Sequence, residues 1–333
     1  MEKLYSINNN LKEKILELNS ILSEKYGKVL SLDETFIRDF IEENVGYIQK
    51  VDKLSREELM YYYQKGGILG VDGSRNRIGG AYPHFVEIYQ GLAKSTLYKD
   101  RPIYKADFYT PLYDERIENL MEDSREQEES IRNRKLSTIE IEAALEGIRQ
   151  LNPYAVMMDG SLIRYDIESF SHWIELRKEC ERRGIILVGV IKDIKTSIIG
   201  DLLKEDEDLN IDECFYDREL LYGILEYGEM ITIHGEVTKK TKEGFSSLFM
   251  RSSKAPTVIG MDILDSQKKH LEEMARLVLT LTPEDSRGVP LWIDIVDSEV
   301  KITDDMVRGL MESYLDRQIL EMLFISERDK RTL

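Results

Sequence analysis

The sequence predicts an α/β fold, a mixed sheet flanked by helices, and three observations carry that expectation. Two short apolar runs stop at the same tripeptide: residues 67–71 lead into Asp72-Gly73-Ser74, and residues 154–158 into Asp159-Gly160-Ser161. A charged stretch with helical character, 114–150, lies between them and holds no proline before Pro153. The run 154–159, a helical pattern near 166–183 and the apolar run 185–191 then follow one another as strand, helix and strand, the order of a parallel crossover.

Taken in order, residues 8–64 read as helical. Leu11, Ile15, Leu18, Ile21 and Leu22 recur at helical spacing, as do Phe36, Phe40 and Ile41. Strands are expected at 67–72, at 84–93 and near 103–109, with Gly79-Gly80 turning the first into an antiparallel hairpin or meander. In 114–150, Leu136, Ile139, Ala143, Ala144, Gly147 and Ile148 form an apolar stripe. Residues 201–219 are acidic and loop-like with a helical patch. Strands at 230–233 and 246–250, a helix over 262–280, a last strand at 291–294 and a closing helix over 303–323 complete the chain. A meander followed by helix and parallel strands fits a ribonuclease H-like core. Residues 65–333 are assigned to it, and 1–64 to an N-terminal helical extension.

Composition sets bounds on function. Hydrophobic residues at 42% and charged residues at 33% are an ordinary globular balance. With 63 acidic against 46 basic residues the net charge is -17, which argues against a surface that attracts nucleic acid everywhere. A nuclease stays open, because bound metal offsets site carboxylates and local basic patches can hold phosphate. Cys180 and Cys214 offer neither a disulfide framework nor zinc-ligand spacing. The first residues lack the apolar core of a signal peptide, and no run approaches the roughly 20 apolar residues of a membrane span. A soluble, cytoplasmic protein without membrane partners is expected.

The chemistry is in the carboxylates. Two further apolar runs also stop at an aspartate, 185–191 through Lys192 to Asp193 and 289–293 at Asp294. Short apolar runs read as buried strands, so several carboxylates are expected where buried strands end. Mg²⁺ and Mn²⁺ are hard cations that prefer such oxygen ligands. Asp-Gly by itself is a common turn dipeptide. Here both copies directly follow strongly apolar runs, and a helix carrying Glu140 and Glu142 precedes the second. Phosphodiester hydrolysis by two metals needs carboxylates around ions about 3.5–4 Å apart. Aspartate suits this because its short side chain stays close to a rigid strand. The following glycine leaves room for substrate, and Ser74 and Ser161 can donate to a phosphate oxygen.

Val71-Asp72-Gly73-Ser74-Arg75, the acidic helix, Met158-Asp159-Gly160-Ser161-Leu162, Gly189-Val190-Ile191-Lys192 and the segment Trp292 to Asp297 together resemble the NurA family of DNA-repair nucleases. The resemblance covers roughly 65–330. It implies a ribonuclease H-like core and Mn²⁺- or Mg²⁺-dependent cutting of DNA, with two ions per site. The activity implied is of the 5′–3′ exonuclease and single-strand endonuclease type. The resemblance also implies a homodimer that works with a hexameric HerA-type translocase in end resection and double-strand-break repair. Carried over by position, Asp72 and Asp159 match the family's strand aspartates. Glu142 is expected to complete the cluster, with Glu140 as its rival, and Lys192 to lie near the scissile phosphate. Where family members carry a late histidine, counting from Pro290 places Asp297 here as the matching metal ligand.

For DNA contact, Arg75 and Arg77 flank the first motif and can fork onto phosphates. Lys239, Lys240 and Lys242, with Arg251 and Lys254, make the least diluted basic region. Two other functions compete. An actin-like phosphotransferase also uses aspartate, glycine and a hydroxyl at strand turns, but the sequence shows neither a glycine-rich adenosine segment nor a Walker motif. A catalytically inactive subunit that docks on a translocase is the other.

Overall fold

A computed structural model describes residues 8–113, 124–206 and 213–325. The first ten residues of the expected 114–150 helix therefore lie outside the described residues.

The N-terminal part is α1 (Asn9–Leu30), α2 (Glu34–Asn44), β1 (Gly46–Lys50) and α3 (Arg56–Gln64). Helix α2 buries Ile37, Phe40 and Ile41, one stripe at i, i+3, i+4. Ser55 and Glu58 cap α3 reciprocally, each side chain accepting from the other's backbone N–H. The expectation of continuous helix over 8–64 needs one correction. β1 pairs antiparallel with a distant strand, Gly46 opposite Ile233, so this segment supplies an edge of the main sheet.

The meander follows as β2 (Ile68–Gly79), β3 (Phe85–Ser95) and β4 (Ile103–Tyr109). Helix α4 (Ser124–Leu151) leads to β5 (Ala155–Asp159), α5 (Leu162–Glu168), α6 (Phe170–Arg183) and β6 (Ile186–Ile191). The helix expected near 166–183 is thus two, broken at Ser169, whose backbone is non-helical. Then come α7 (Ile198–Glu205), α8 (Asp217–Leu220), β7 (Glu229–Ile233), β8 (Phe245–Met250) and β9 (Ile259–Leu264). The last elements of the described residues are α9 (Leu271–Leu281), α10 (Leu291–Val300), α11 (Asp304–Tyr314) and α12 (Arg317–Leu323).

The described strands form one nine-stranded sheet in the order β1-β7-β8-β9-β6-β5-β2-β3-β4. β2, β5 and β6 are mutually parallel, and the remaining pairings are antiparallel. This is the expected mixed sheet flanked by helices. Alternation along β2 and β5 separates two cores. Leu69, Val71, Val156 and Met158 pack with α4 and α6 on one face, through Ile141, Ala144, Ile148 and Trp173. Ile68, Ala155 and Met157 pack with α9 and α10 on the other, through Met274, Val278 and Ile293.

Three C-terminal expectations are corrected. Residues 259–264 form a strand, buried along its whole length between β6 and β8, where a helix was expected to begin at 262. Residues 291–294 open helix α10 instead of a strand. Pro290 precedes them, and Ile293, Val296 and Val300 are buried at helical spacing. The single closing helix is two, and the Asp316 side chain caps the second by accepting from Gln318 N and Ile319 N.

Candidate metal centre

The parallel register of β2 and β5 ends with Val71 opposite Met158, so the next residues, Asp72 and Asp159, emerge side by side. Strand alternation turns both toward the α9–α10 face. Helix α10 crosses this face close to β2. A Cβ at Gly70 would stand 2.9 Å from the Trp292 ring, and Trp292 Nε1 donates to Lys94 O at 3.1 Å. Ile293 and Val296 point into the core, which leaves Asp294 and Asp297 on the flank of the helix. One carboxylate oxygen from each of Asp72, Asp159 and Asp297 lies within 4.8 Å of the others. Asp72 is buried, Asp159 half-buried and Asp297 open to solvent, so the cluster runs from the sheet to the surface.

Lys192, just past β6, reaches into this cluster. Its Nζ is 2.5 Å from Asp159 Oδ2 and 3.6 Å from Asp297 Oδ1. Burial opposes its charge, yet the Asp159 carboxylate outweighs that and raises its pKa. Asp72 has no such partner. Burial pushes its carboxyl up to about 9, with the charges of Asp159 and Glu140 adding to the shift. The Gly73 N–H, 2.7 Å from Asp72 Oδ1, relieves it only in part. Burial also raises Asp159, against the pull of Lys192. Three carboxylates that run from the buried sheet to the surface, with one ammonium among them, are short of positive charge.

Glutamate 142 is not part of the cluster: it is exposed on α4, away from the sheet. Glu140 is the inward residue, because 136, 140 and 144 share one helix face and that face is the apolar stripe. It sits over Gly73, where a Cβ would meet Glu140 Oε1 at 2.6 Å, so a larger residue there would displace the Glu140 side chain. Its carboxylate accepts from Arg164 on α5, and burial raises its pKa against that cation. Glu140 therefore approaches from the α4 face, opposite to Asp297.

The hydroxyls and cations expected to meet DNA are mostly engaged within the protein. Ser74 Oγ accepts from Ile302 N at 3.1 Å, tying β2 to the segment just after α10. Arg75 donates to Asn133 Oδ1 at 3.0 Å and Glu129 Oε1 at 3.3 Å. Ser161 Oγ donates to Asp262 Oδ2 at 2.5 Å, and Lys240 Nζ lies 2.7 Å from Asp262 Oδ1. Asp262 is fully buried on β9 and also accepts from Ser247 Oγ and Leu162 N. Lys240 is thus the counter-ion of a buried aspartate, and the bonds from Ser161 and Leu162 tie the turn after Asp159 to it. Gly160 adopts φ +126° in that turn, a conformation open to glycine. Lys239 is exposed. Asp193 faces away from the cluster, paired with Arg218 at 3.1 Å. Sequence reasoning missed Arg164 and Asp262 altogether. Their partners are distant in sequence, and the only local signal was Arg164 following Asp-Gly-Ser.

The donor set fits a divalent cation. It offers only carboxylate oxygens, from three elements, at mutual distances one ion can span, and their burial leaves charge to be offset.

The model of the NurA domain matches residues 66–302. Among solved structures, the NurA nuclease from Sulfolobus solfataricus aligns with a TM-score of 0.57 at 10% identity, covering 95% of this chain and 98% of that one. Endonuclease V from Bacillus subtilis aligns with a TM-score of 0.41 at 14% identity, covering 80% and 88%. The catalytic domain of human Endonuclease V gives 0.38 at 13%, covering 84% and 95%. By sequence, no curated protein matches the chain.

Proposed function

The chain belongs to the NurA family and is a nuclease, and from that membership we propose a divalent-metal-dependent deoxyribonuclease whose centre is Asp72, Asp159 and Asp297. The observation that carries this reading is the convergence of those three carboxylates within 4.8 Å, from two strands and a helix that crosses them. They would hold Mn²⁺ or Mg²⁺, and two ions per site are part of the same reading. Such a cation would polarise a phosphodiester oxygen and ease deprotonation of the attacking water.

The protein's own groups do the rest. β2 holds Asp72 within its length, just past the point where its pairing with β5 stops, and β5 holds Asp159 at its end, so both ligands stand on rigid backbone. Lys192 supplies a cation beside Asp159, where charge developing on the phosphate needs a counter-charge. Arg164 pairs with Glu140 on the opposite face as Lys192 pairs with Asp159, so that neither acidic neighbour of Asp72 is without a counter-charge. The Asp262 network fixes the turn that aims Asp159.

The finer reading is a nuclease of the 5′–3′ exonuclease and single-strand endonuclease type, acting in end resection and double-strand-break repair with a HerA-type translocase. Family membership supports it. A homodimer is part of the same reading. The apolar groove lined by Val86, Ile88, Phe108, Leu310 and Tyr314, with Phe108 and Tyr314 well exposed, is the kind of surface that association covers.

The test is incubation of the purified protein with labelled single- and double-stranded DNA, with Mn²⁺ or with chelator. Degradation that requires the metal and disappears in a folded Asp72→Ala variant supports the proposal. No degradation under any condition sinks it and favours a docking subunit, whereas ATP binding without degradation favours a phosphotransferase.

A further inference from the structure

Carboxylates repel the backbone they are meant to cut, so a substrate strand needs cations at the rim of the cluster. Two of the arginines near it are already engaged within the protein: Arg75 with Asn133 and Glu129, and Arg164 with Glu140. Arg287 differs. It lies in the loop before α10, with its side chain 59% exposed. Among the described residues its one hydrogen-bond partner is Asp294, whose Oδ1 accepts from Nη2 at 2.6 Å. Asp294 is one helical turn before Asp297 on the same flank of α10, so the bond stations the guanidinium beside the most exposed ligand of the cluster. The charges of Asp297 and Asp159 both bear on it, after that of Asp294.

The loop that carries Arg287 is tied down. Ser252, itself buried, donates through Oγ to Gly288 O at 2.5 Å, and Lys254 N donates to Glu284 O at 2.7 Å. Gly288 takes φ +89° and turns the chain into Pro290 and the first turn of α10. An arginine on an anchored loop, oriented by one carboxylate through one N–H, keeps its remaining donors for another acceptor. A planar fork of this kind matches two phosphate oxygens.

We infer that Arg287 is a phosphate-anchoring residue for the DNA strand, binding a backbone phosphate next to the one over the carboxylate cluster. The inference rests on the nuclease reading of that cluster. Asp294 is then a positioning residue for it, and Lys192 and Arg287 are the two cations that flank Asp297. The residue acts on binding of the strand, and the bond-breaking step is left to the cluster.

The experiment compares the wild-type protein with Arg287→Ala and Arg287→Lys on a fluorescein-labelled single-stranded oligonucleotide. Cleavage with Mn²⁺ gives kcat and KM, and anisotropy with Ca²⁺ gives binding over a range of salt. Arg287→Ala is expected to raise KM about tenfold with kcat held within about twofold. Loss of one phosphate contact should also reduce the steepness of log K against log salt by about 0.7. Arg287→Lys should restore the salt dependence but only part of the affinity, since it keeps the charge and loses the fork. Unchanged KM and salt dependence in Arg287→Ala, beside a wild-type protein that cuts normally, overturn the inference alone. A fall in kcat with KM unchanged overturns it too. A wild-type protein that neither binds nor cuts DNA overturns the nuclease reading and this inference with it.

Discussion

Lys192 Nζ lies 2.5 Å from Asp159 Oδ2, inside a group of carboxylates that also includes Asp72 and Asp297. The protein's own ammonium therefore marks where positive charge is most stabilised. It offsets Asp159 more than Asp72, which burial leaves raised to about 9. A metal-free protein with such a centre holds free energy that a bound cation releases.

The first prediction concerns pH. A carboxyl raised from its ordinary value of 3.8 to about 9 keeps a proton in the folded chain that the unfolded chain has given up. Stability of the metal-free protein then falls as pH rises through that window, by at most about 1.4 kcal/mol per pH unit for one proton. Urea denaturation in chelator at pH 5, 7 and 9 should show this slope, and Asp72→Asn should flatten it.

Metal should reverse the effect. A ligand that binds only the folded chain adds about 2.7 kcal/mol at a hundred times its Kd. Mn²⁺ should therefore raise the melting temperature of the wild-type protein. The same titration on Asp159→Asn or Asp297→Asn should give a clearly smaller rise.

Asp72→Asn and Asp159→Asn should each abolish cutting while leaving the fold intact. Asp72→Asn should melt no lower than wild type without metal, because it removes a carboxyl that must take up a proton for the chain to fold. A large drop in melting temperature for both variants would instead make these aspartates structural residues.

The two helix glutamates should separate sharply. Glu142→Gln, at an exposed position, should leave cutting unchanged and stability within about 0.5 kcal/mol. Arg164→Met strands the buried Glu140 carboxylate and should cost about 3 kcal/mol in urea denaturation.

Lys240 offers a similar contrast between structure and DNA contact. Lys240→Met strands Asp262, which is fully buried, and should cost about 3 kcal/mol. Adding Asp262→Asn should recover part of that loss. The salt dependence of DNA binding should not change in either variant.

Much of this centre can be read from the sequence, and the unread parts share physical reasons. Asp72 and Asp159 are legible because each ends an apolar run with Asp-Gly-Ser, a local pattern. Glu140 was legible too: it lies four residues from both Leu136 and Ala144, inside the apolar stripe, whereas position counting favoured Glu142. The helix bearing Asp297 reads as a strand because five consecutive apolar residues carry no period. Pro290 and the spacing of Ile293, Val296 and Val300 decide for helix. β9 is buried on both faces and so shows no alternation, and it hides Asp262. The pairings Arg164 with Glu140 and Lys240 with Asp262 join elements distant in sequence, and no local pattern announces them.

The most direct test is anomalous diffraction from crystals soaked in Mn²⁺. The account predicts a peak ligated by carboxylate oxygens of Asp72, Asp159 and Asp297, with the Lys192 ammonium moved off Asp159. A protein that cuts DNA with Mn²⁺ yet shows its peak elsewhere, with Lys192 still on Asp159, would contradict it.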